Sequence, residues 1–298
     1  MNTQFLETFV MVAEHGSMAE AARRLGVTPA AVAQRIAALE ADLGTALLLR
    51  SGRRVAPTEA GRAIVAGGHR ILVEVRQLRL AARADADVGE LRLGAISTAM
   101  TGLLPPALHR LAVSAPGLDV FLLPGTSTEV YRQVIDGGLD AAILVRPPFV
   151  IPKSLDWVRL RTEPLVLICP EDWAGDDPLA LLRARPFIRY DRNNWGGRLA
   201  ERWMKDMGLT LREGLELDQL EAIAVMVNRG LGVSIVPDWA PPWPEGLRLC
   251  RLPLPGHLRP TREIGLLWPR GAPAGRLIGQ VRDALLAAGR GSALQAEG

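Results

Sequence analysis

Of the side chains able to do covalent or acid-base chemistry, none falls into a working constellation. His15, His69, His109 and His257 are dispersed along 298 residues. No Gly-x-Ser-x-Gly elbow or His-Glu-x-x-His pair occurs, and Gly230-Leu231-Gly232 is too short for a dinucleotide fingerprint. Cys169 and Cys250 stand 81 positions apart with no Cys-x-x-Cys, which supports neither a zinc module nor a disulfide-rich scaffold. Buried structural thiols are the expectation for them, and a redox sensor is the rarer alternative. No enzyme, metal or cofactor is therefore expected. The spacing that does carry chemistry is Thr28-Pro29-Ala30-Ala31-Val32-Ala33-Gln34-Arg35. It places small residues, one amide and one guanidinium on the opening turns of a helix, a surface for recognition rather than turnover.

The elements around that run are legible. Phe5, Phe9, Val12 and Ala13 recur at the spacing of a buried helical stripe. Ser17, with Glu20 three positions on, has the capping-box pattern and opens a second helix, Met18 to Leu25. Gly26-Val27 breaks it. Thr28 caps a third helix with Pro29 in first position, and Val32, Ile36 and Leu39 face inward. Helix, short turn with Gly, helix is a helix-turn-helix. Arg50-Ser51-Gly52-Arg53-Arg54-Val55-Ala56-Pro57 then reads as two short extended pieces around a Gly turn, a wing. From Thr58 a long helix runs to about Ala86. Ile64, Ile71 and Leu78 fall seven apart with Val75 between, the seam of a paired coil. Gly67-Gly68 weakens that helix by roughly 1 kcal/mol per glycine, so partner packing is expected to support it.

From Gly89 the pattern becomes alternating strand and helix, which indicates parallel sheet with helices on its faces. Strands are expected at Leu91–Ile96, Asp119–Leu123 and Ala141–Val145, with helices at Leu104–Ala115 and Ser127–Asp136. The rhythm restarts at Leu165–Cys169, so two α/β lobes are the simplest account. A last strand, Glu263–Trp268, and a final helix, Leu277–Ala288, are expected to return to the first lobe.

Composition agrees. The chain is 48% hydrophobic and 22% charged, enough for packed cores and against dominant disorder. Residues 1–90 hold eleven Arg, no Lys and ten acidic residues, but residues 43–84 hold eight Arg against Glu59 and Glu74. The basic surface is a stripe, and binding to a polyanion should weaken with salt. The first twenty residues carry no Lys or Arg, so the charged start of a signal peptide is missing and a cytoplasmic location is expected. No apolar run approaches the ~18 residues of a membrane span.

The run from Ala21 through Gly44, continued by Leu47, Arg50 and Pro57-Thr58-Glu59-Ala60-Gly61, resembles the N-terminal signature of LysR-type transcriptional regulators. Gly138-Leu139-Asp140-Ala141-Ala142-Ile143 and Val227 through Pro237 look like that family's effector-domain landmarks. The resemblance implies an α/β chain in three parts: a winged helix-turn-helix (1–58), a dimerising linker helix (59–88) and a two-lobed effector domain (89–298) similar to periplasmic solute-binding proteins. Lobe I would hold about 89–162 and 268–298, lobe II about 163–267. Implied partners are double-stranded promoter DNA, a small-molecule effector, RNA polymerase and further copies of the chain, as a homodimer or homotetramer. Where the family commonly has Ser-Gln-Pro-Ala at the start of the recognition helix, this chain has Thr28-Pro29-Ala30-Ala31, and Ala33 replaces a Ser. The rival reading is a small-molecule-binding protein whose helical N-terminus is only an oligomerisation arm.

In a DNA-bound helix-turn-helix, Pro29, Ala30 and Ala33 suit thymine methyl contacts and Gln34 a bidentate adenine contact. Thr28 and Arg35 would anchor phosphates, and Arg53 and Arg54 would reach the minor groove. Arg50 either closes the fold or contacts DNA. In the effector half, ligands sit beyond strand carboxyl ends. Ser97-Thr98, Thr126-Ser127 and Tyr190-Asp191-Arg192-Asn193-Asn194 occupy such places and would converge on a small polar or anionic ligand. Arg146 could bind a carboxylate or brace the lobe crossover. Trp195 is a lid, a core residue or a stacking platform.

Overall fold

The computed structural model describes residues 1–51, 54–82, 89–256 and 259–295. In the N-terminal unit, α1 (Thr3–His15), α2 (Met18–Leu25) and α3 (Pro29–Leu43) precede an antiparallel pair, β1 (Leu48–Ser51) and β2 (Arg54–Pro57), and the long α4 (Glu59–Ala81). Local chemistry sets each boundary. Ser17 Oγ accepts from Glu20 N–H at 3.3 Å and opens α2; Thr28 Oγ1 accepts from Ala31 N–H at 3.2 Å and opens α3. Gly16, Gly26 and Gly44 close α1, α2 and α3 in the left-handed region that glycine favours. Leu6, Phe9, Val12, Ala21, Val32, Ile36, Leu39 and Leu47 form one buried core.

Three hydrogen bonds lock the wing to this core. Glu40 Oε1 accepts from Leu47 N–H (2.7 Å) and Leu48 N–H (3.1 Å), and Thr58 Oγ1 donates to Ala46 O at 2.8 Å. A Cβ at Gly61 would stand 2.2 Å from Leu47 O, so only glycine lets α4 pass the wing's first strand here. Ile64 is not free for a partner seam, because it packs on the core beside Val65 and Leu72. Ile71 and Leu78 are 40% and 69% exposed, and with half-buried Val75 they form the outward part of the heptad.

The C-terminal unit begins with β3 (Gly89–Ala95), α5 (Ser97–Gly102), α6 (Leu104–Ser114), β4 (Leu118–Pro124), α7 (Ser127–Ile135) and β5 (Ala141–Val145). Next come β6 (Leu155–Pro170), α8 (Pro178–Ala184), β7 (Phe187–Tyr190), α9 (Trp195–Asp206), β8 (Glu213–Leu217) and α10 (Leu220–Asn228). It ends with β9 (Ser234–Pro237), β10 (Leu249–Pro253), β11 (Thr261–Pro269) and α11 (Gly275–Gln295). Strand order is β10-β6-β11-β5-β3-β4, with β9 also on β6 and a separate parallel β7-β8 pair. β3 is parallel to both β4 and β5, as alternation predicts, while β11 runs antiparallel to β5 and β6.

β6 is the departure from expectation. It is one strand of 16 residues rather than a short Leu165–Cys169 segment. Its first part pairs with β11 in lobe I and its last part with β9 and β10 in lobe II. Pro164 hides this continuity in the sequence, since proline usually ends a central strand. It sits at the changeover, where its carbonyl accepts from Asp238 N–H at 2.8 Å and Leu165 N–H donates to Pro260 O at 2.8 Å. β11 pairs with β5 from Ile264 to Leu267, so the strand expected at Glu263–Trp268 does return to the first lobe's sheet, a few residues before the lobe boundary drawn at 268.

Candidate functional site

Two surfaces gather the sequence candidates. On α3, Val32, Ile36 and Leu39 are buried, which turns Ala30, Gln34, Ala37 and Ala41 outward along one stripe. Three of the four end in a methyl group, and Gln34 is the long polar side chain among them. Thr28 and Pro29 are exposed at the start of the helix, and Ala33 is half-buried beside the stripe. Arg35 departs from its expected place: its NH1 donates to the buried Thr8 Oγ1 at 3.4 Å, drawing the guanidinium onto α1. Arg54 opens β2 opposite Ser51, and Arg53 lies outside the described residues. On α2, Glu20 takes hydrogen bonds from Arg23 and Arg24, which hold its carboxyl at about 2.

The second surface is a cavity of about 250 Å³ between the lobes of the C-terminal unit. Lobe I supplies Ser97, Thr98, Thr126 and Ser127; lobe II supplies Tyr190, Asn194, Trp195, Asp218 and Gln219. Arg262 lines it from β11 and was not among the sequence candidates. Buried Arg262 gives its Nε to Glu163 Oε2 at 2.5 Å and its NH2 to Thr98 Oγ1 at 3.0 Å. It also hydrogen-bonds the Tyr190 hydroxyl, whose pKa is pushed up by burial, so that the phenol stays protonated. One guanidinium thus ties both lobes at the cavity floor.

The helix starts around the cavity differ. At α7, Glu129 Oε2 accepts from Thr126 N–H (2.8 Å) and Thr126 Oγ1 (2.9 Å), and this holds its carboxyl below the usual range. That helix end already carries its own anion, which occupies the donors Thr126 was expected to offer. At α9 and α10 the N-caps Asn194 and Gln219 make no side-chain capping bond. No cap side chain occupies the first-turn N–H groups there, as at α5, and such ends favour anions, although Glu221 stands in the first turn of α10. Trp195 is buried in the lining and meets Tyr131 and Phe149 edge-to-face, each with ring centroids 5.7 Å away. It is a wall of the cavity that packs across the lobes.

Three expected effector residues lie elsewhere. Arg146 NH1 donates to Glu263 Oε2 at 2.7 Å, with Arg159 on the other oxygen at 3.2 Å, so it braces the crossover. Arg192 is held by Glu213 and Glu216. Asn193 Nδ2 and N–H both donate to Asp191 Oδ1. Each polar head has a nearer carboxylate than any ligand in the cavity would provide, which is why position after a strand misled.

Among the described residues no group of three or more His, Cys, Asp or Glu could hold a metal, and no helix is long and apolar enough to cross a membrane. A winged helix-turn-helix joined to a two-lobed ligand-binding fold defines a ligand-responsive DNA-binding regulator. Residues 3–62 match the bacterial regulatory helix-turn-helix protein, lysR family, and residues 84–290 match the LysR substrate binding domain. The chain belongs to the LysR family of transcriptional regulators, which are DNA-binding proteins rather than enzymes. The helix-turn-helix match decides against the oligomerisation-arm reading. The HTH-type transcriptional regulator IlvR of Caulobacter vibrioides is 32% identical over 290 residues, covering 95% of this chain and 97% of its own. The structure of CbnR, a LysR family transcriptional regulator, matches at 28% identity and TM-score 0.66 over 96% of this chain and 99% of that one. Full-length CbnR complexed with its target DNA matches at 27% identity and TM-score 0.66, over 95% and 100%.

Proposed function

We propose that this regulator reads promoter DNA with the outward stripe of α3 and is switched by a small polar ligand carrying an anionic group. Residues 1–58 dock on the duplex, with Gln34 on a base edge, Thr28 on a phosphate and the Arg53-Arg54 turn toward the minor groove. Residues 59–88 pair copies of the chain through Ile71, Val75 and Leu78, and 89–298 hold the ligand. The observation that carries the ligand reading is the cavity over Arg262, with the uncapped starts of α9 and α10 beside it. Its volume of about 250 Å³ lies just below the ~300–1,000 Å³ of typical ligand sites. A small metabolite fits this size better than a drug-sized molecule.

The ligand acts by favouring one arrangement of paired DNA-binding units. It shifts that balance only by as much as its affinity differs between arrangements. The altered half-site spacing would then be felt by RNA polymerase, in the cytoplasm. The test is selection of genomic fragments by the purified full chain, followed by footprinting with small carboxylates and phosphates added singly. A footprint that changes with one anion, and no longer does so when Glu163→Leu and Arg262→Met are combined so that no buried charge is left unpaired, supports the reading. Footprints insensitive to every anion, with tight binding only of uncharged or cationic molecules, contradict it.

A further inference from the structure

Cys169 on β6 and Cys250 on β10, far apart in sequence, are directly opposed in the antiparallel ladder. Further along, Glu171 N–H donates to Arg248 O at 3.1 Å, and the intervening pair is Leu249 with Pro170, which has no N–H. Alternation of the ladder then makes Cys169 and Cys250 a hydrogen-bonded pair, whose Cα atoms stand about 5.5 Å apart. A disulfide spans Cα separations of about 4.4–6.8 Å. Both side chains face the same core: Cys169 belongs to the cluster of Leu167, Leu181, Trp203 and Ile235, and Cys250 packs against it.

We propose that Cys169 and Cys250 form a reversible cross-strand disulfide, a two-electron redox site in lobe II closed by exchange with a low-molecular-weight disulfide. The two thiols divide the work. Cys250 is partly exposed and Cys169 fully buried, with its thiol pushed up to about 11 by burial. The Cys250 thiolate attacks one sulfur of the small disulfide; that S–S bond breaks, and one small thiolate leaves with the electron pair and takes up a proton. Cys169 then loses its proton and attacks the Cys250 sulfur, releasing the second small thiol. The protein loses two electrons and two protons, and the small disulfide is reduced to two thiols. Closure draws the Cβ atoms together by about 1 Å. Because β6 also carries Glu163 at the cavity floor, the change is delivered to the strand that joins the lobes.

The test equilibrates the full chain across ratios of oxidised to reduced glutathione, quenches in acid, alkylates after denaturation and measures intact mass. Expected is the joint loss of both alkylation sites in a species lighter by the two thiol hydrogens, reversed by reduced glutathione. Cys169→Ser should instead trap glutathione on Cys250. Two alkylatable thiols at every ratio, or wild-type protein that accumulates glutathione adducts in place of the lighter species, would overturn the proposal.

Discussion

Arg262 and Glu163 face one another across β11 and β6, and each side chain is only 1% exposed. Ala240 N–H donates to the second oxygen of Glu163 at 3.2 Å, and Thr98 takes the far end of the guanidinium. An ion pair taken this far from water is held by geometry, since desolvation offsets most of its attraction.

Removing one member should therefore cost more than removing both. Glu163→Ala is expected to lower the stability of the C-terminal unit by about 3–5 kcal/mol, because it leaves a buried charge unpaired. Glu163→Leu with Arg262→Met should fall closer to wild type in urea unfolding followed by tryptophan fluorescence, short of it by what Arg161, 3.3 Å from Glu163 Oε1 and partly exposed, loses with that carboxylate. A double variant as damaged as the single one would mean that the pair is valued for its own attraction.

The pH response of the helix-turn-helix should carry a signature of Glu20. Its carboxyl is brought from the ordinary 4.5 to about 2, first by the hydrogen bond from Arg23 and then by that from Arg24. A folded value below the unfolded one stabilises fully above about 4.5, and that contribution is lost as pH falls through about 2. Carboxyl carbon shifts followed by NMR should show Glu20 titrating below the other glutamates, and Arg23→Ala should move it back up. A midpoint near 4.5 in the wild-type chain would remove the clamp from the account.

Assembly should depend on the outward part of α4. Exposed Ile71 and Leu78 have no role in the core that holds Ile64 and Leu72. Ile71→Glu with Leu78→Glu is expected to yield monomers in sedimentation velocity with the helix-turn-helix still folded. Unchanged oligomers would place the interface elsewhere.

How much could be read from sequence follows the range of each interaction. The caps Ser17 and Thr28, the glycines after α1, α2 and α3, and the buried stripe of α3 are settled within a few residues, so those elements stand where expected. β10 was missed because a short edge strand ending at Pro253 carries no alternation long enough to read. Gly68 reads in sequence as a weakness of the long helix, but a Cβ there would stand 3.1 Å from the side-chain tips of Leu6 and Val10, so glycine also gives α4 a close fit on α1. Much of the cavity was legible: Ser97, Thr98, Thr126, Ser127, Tyr190 and Asn194 follow their strands into it. Arg262 was not, since its partner lies 99 positions away and an arginine at the start of a strand looks solvated. For Arg146 and Arg192 the competing carboxylates of Glu263, Glu213 and Glu216 come from strands whose pairing the local pattern does not specify.

The most direct measurement is fluorescence anisotropy of the purified chain on a selected promoter duplex and on a scrambled duplex of the same composition, in rising salt. The account predicts at least ~10³-fold preference for the selected duplex at physiological salt. It also predicts a steep linear fall of log affinity with log salt. Gln34→Ala should lose ~1–3 kcal/mol on the selected duplex and relax one base position. Equal, weak binding of both duplexes, unchanged by Gln34→Ala, would contradict it.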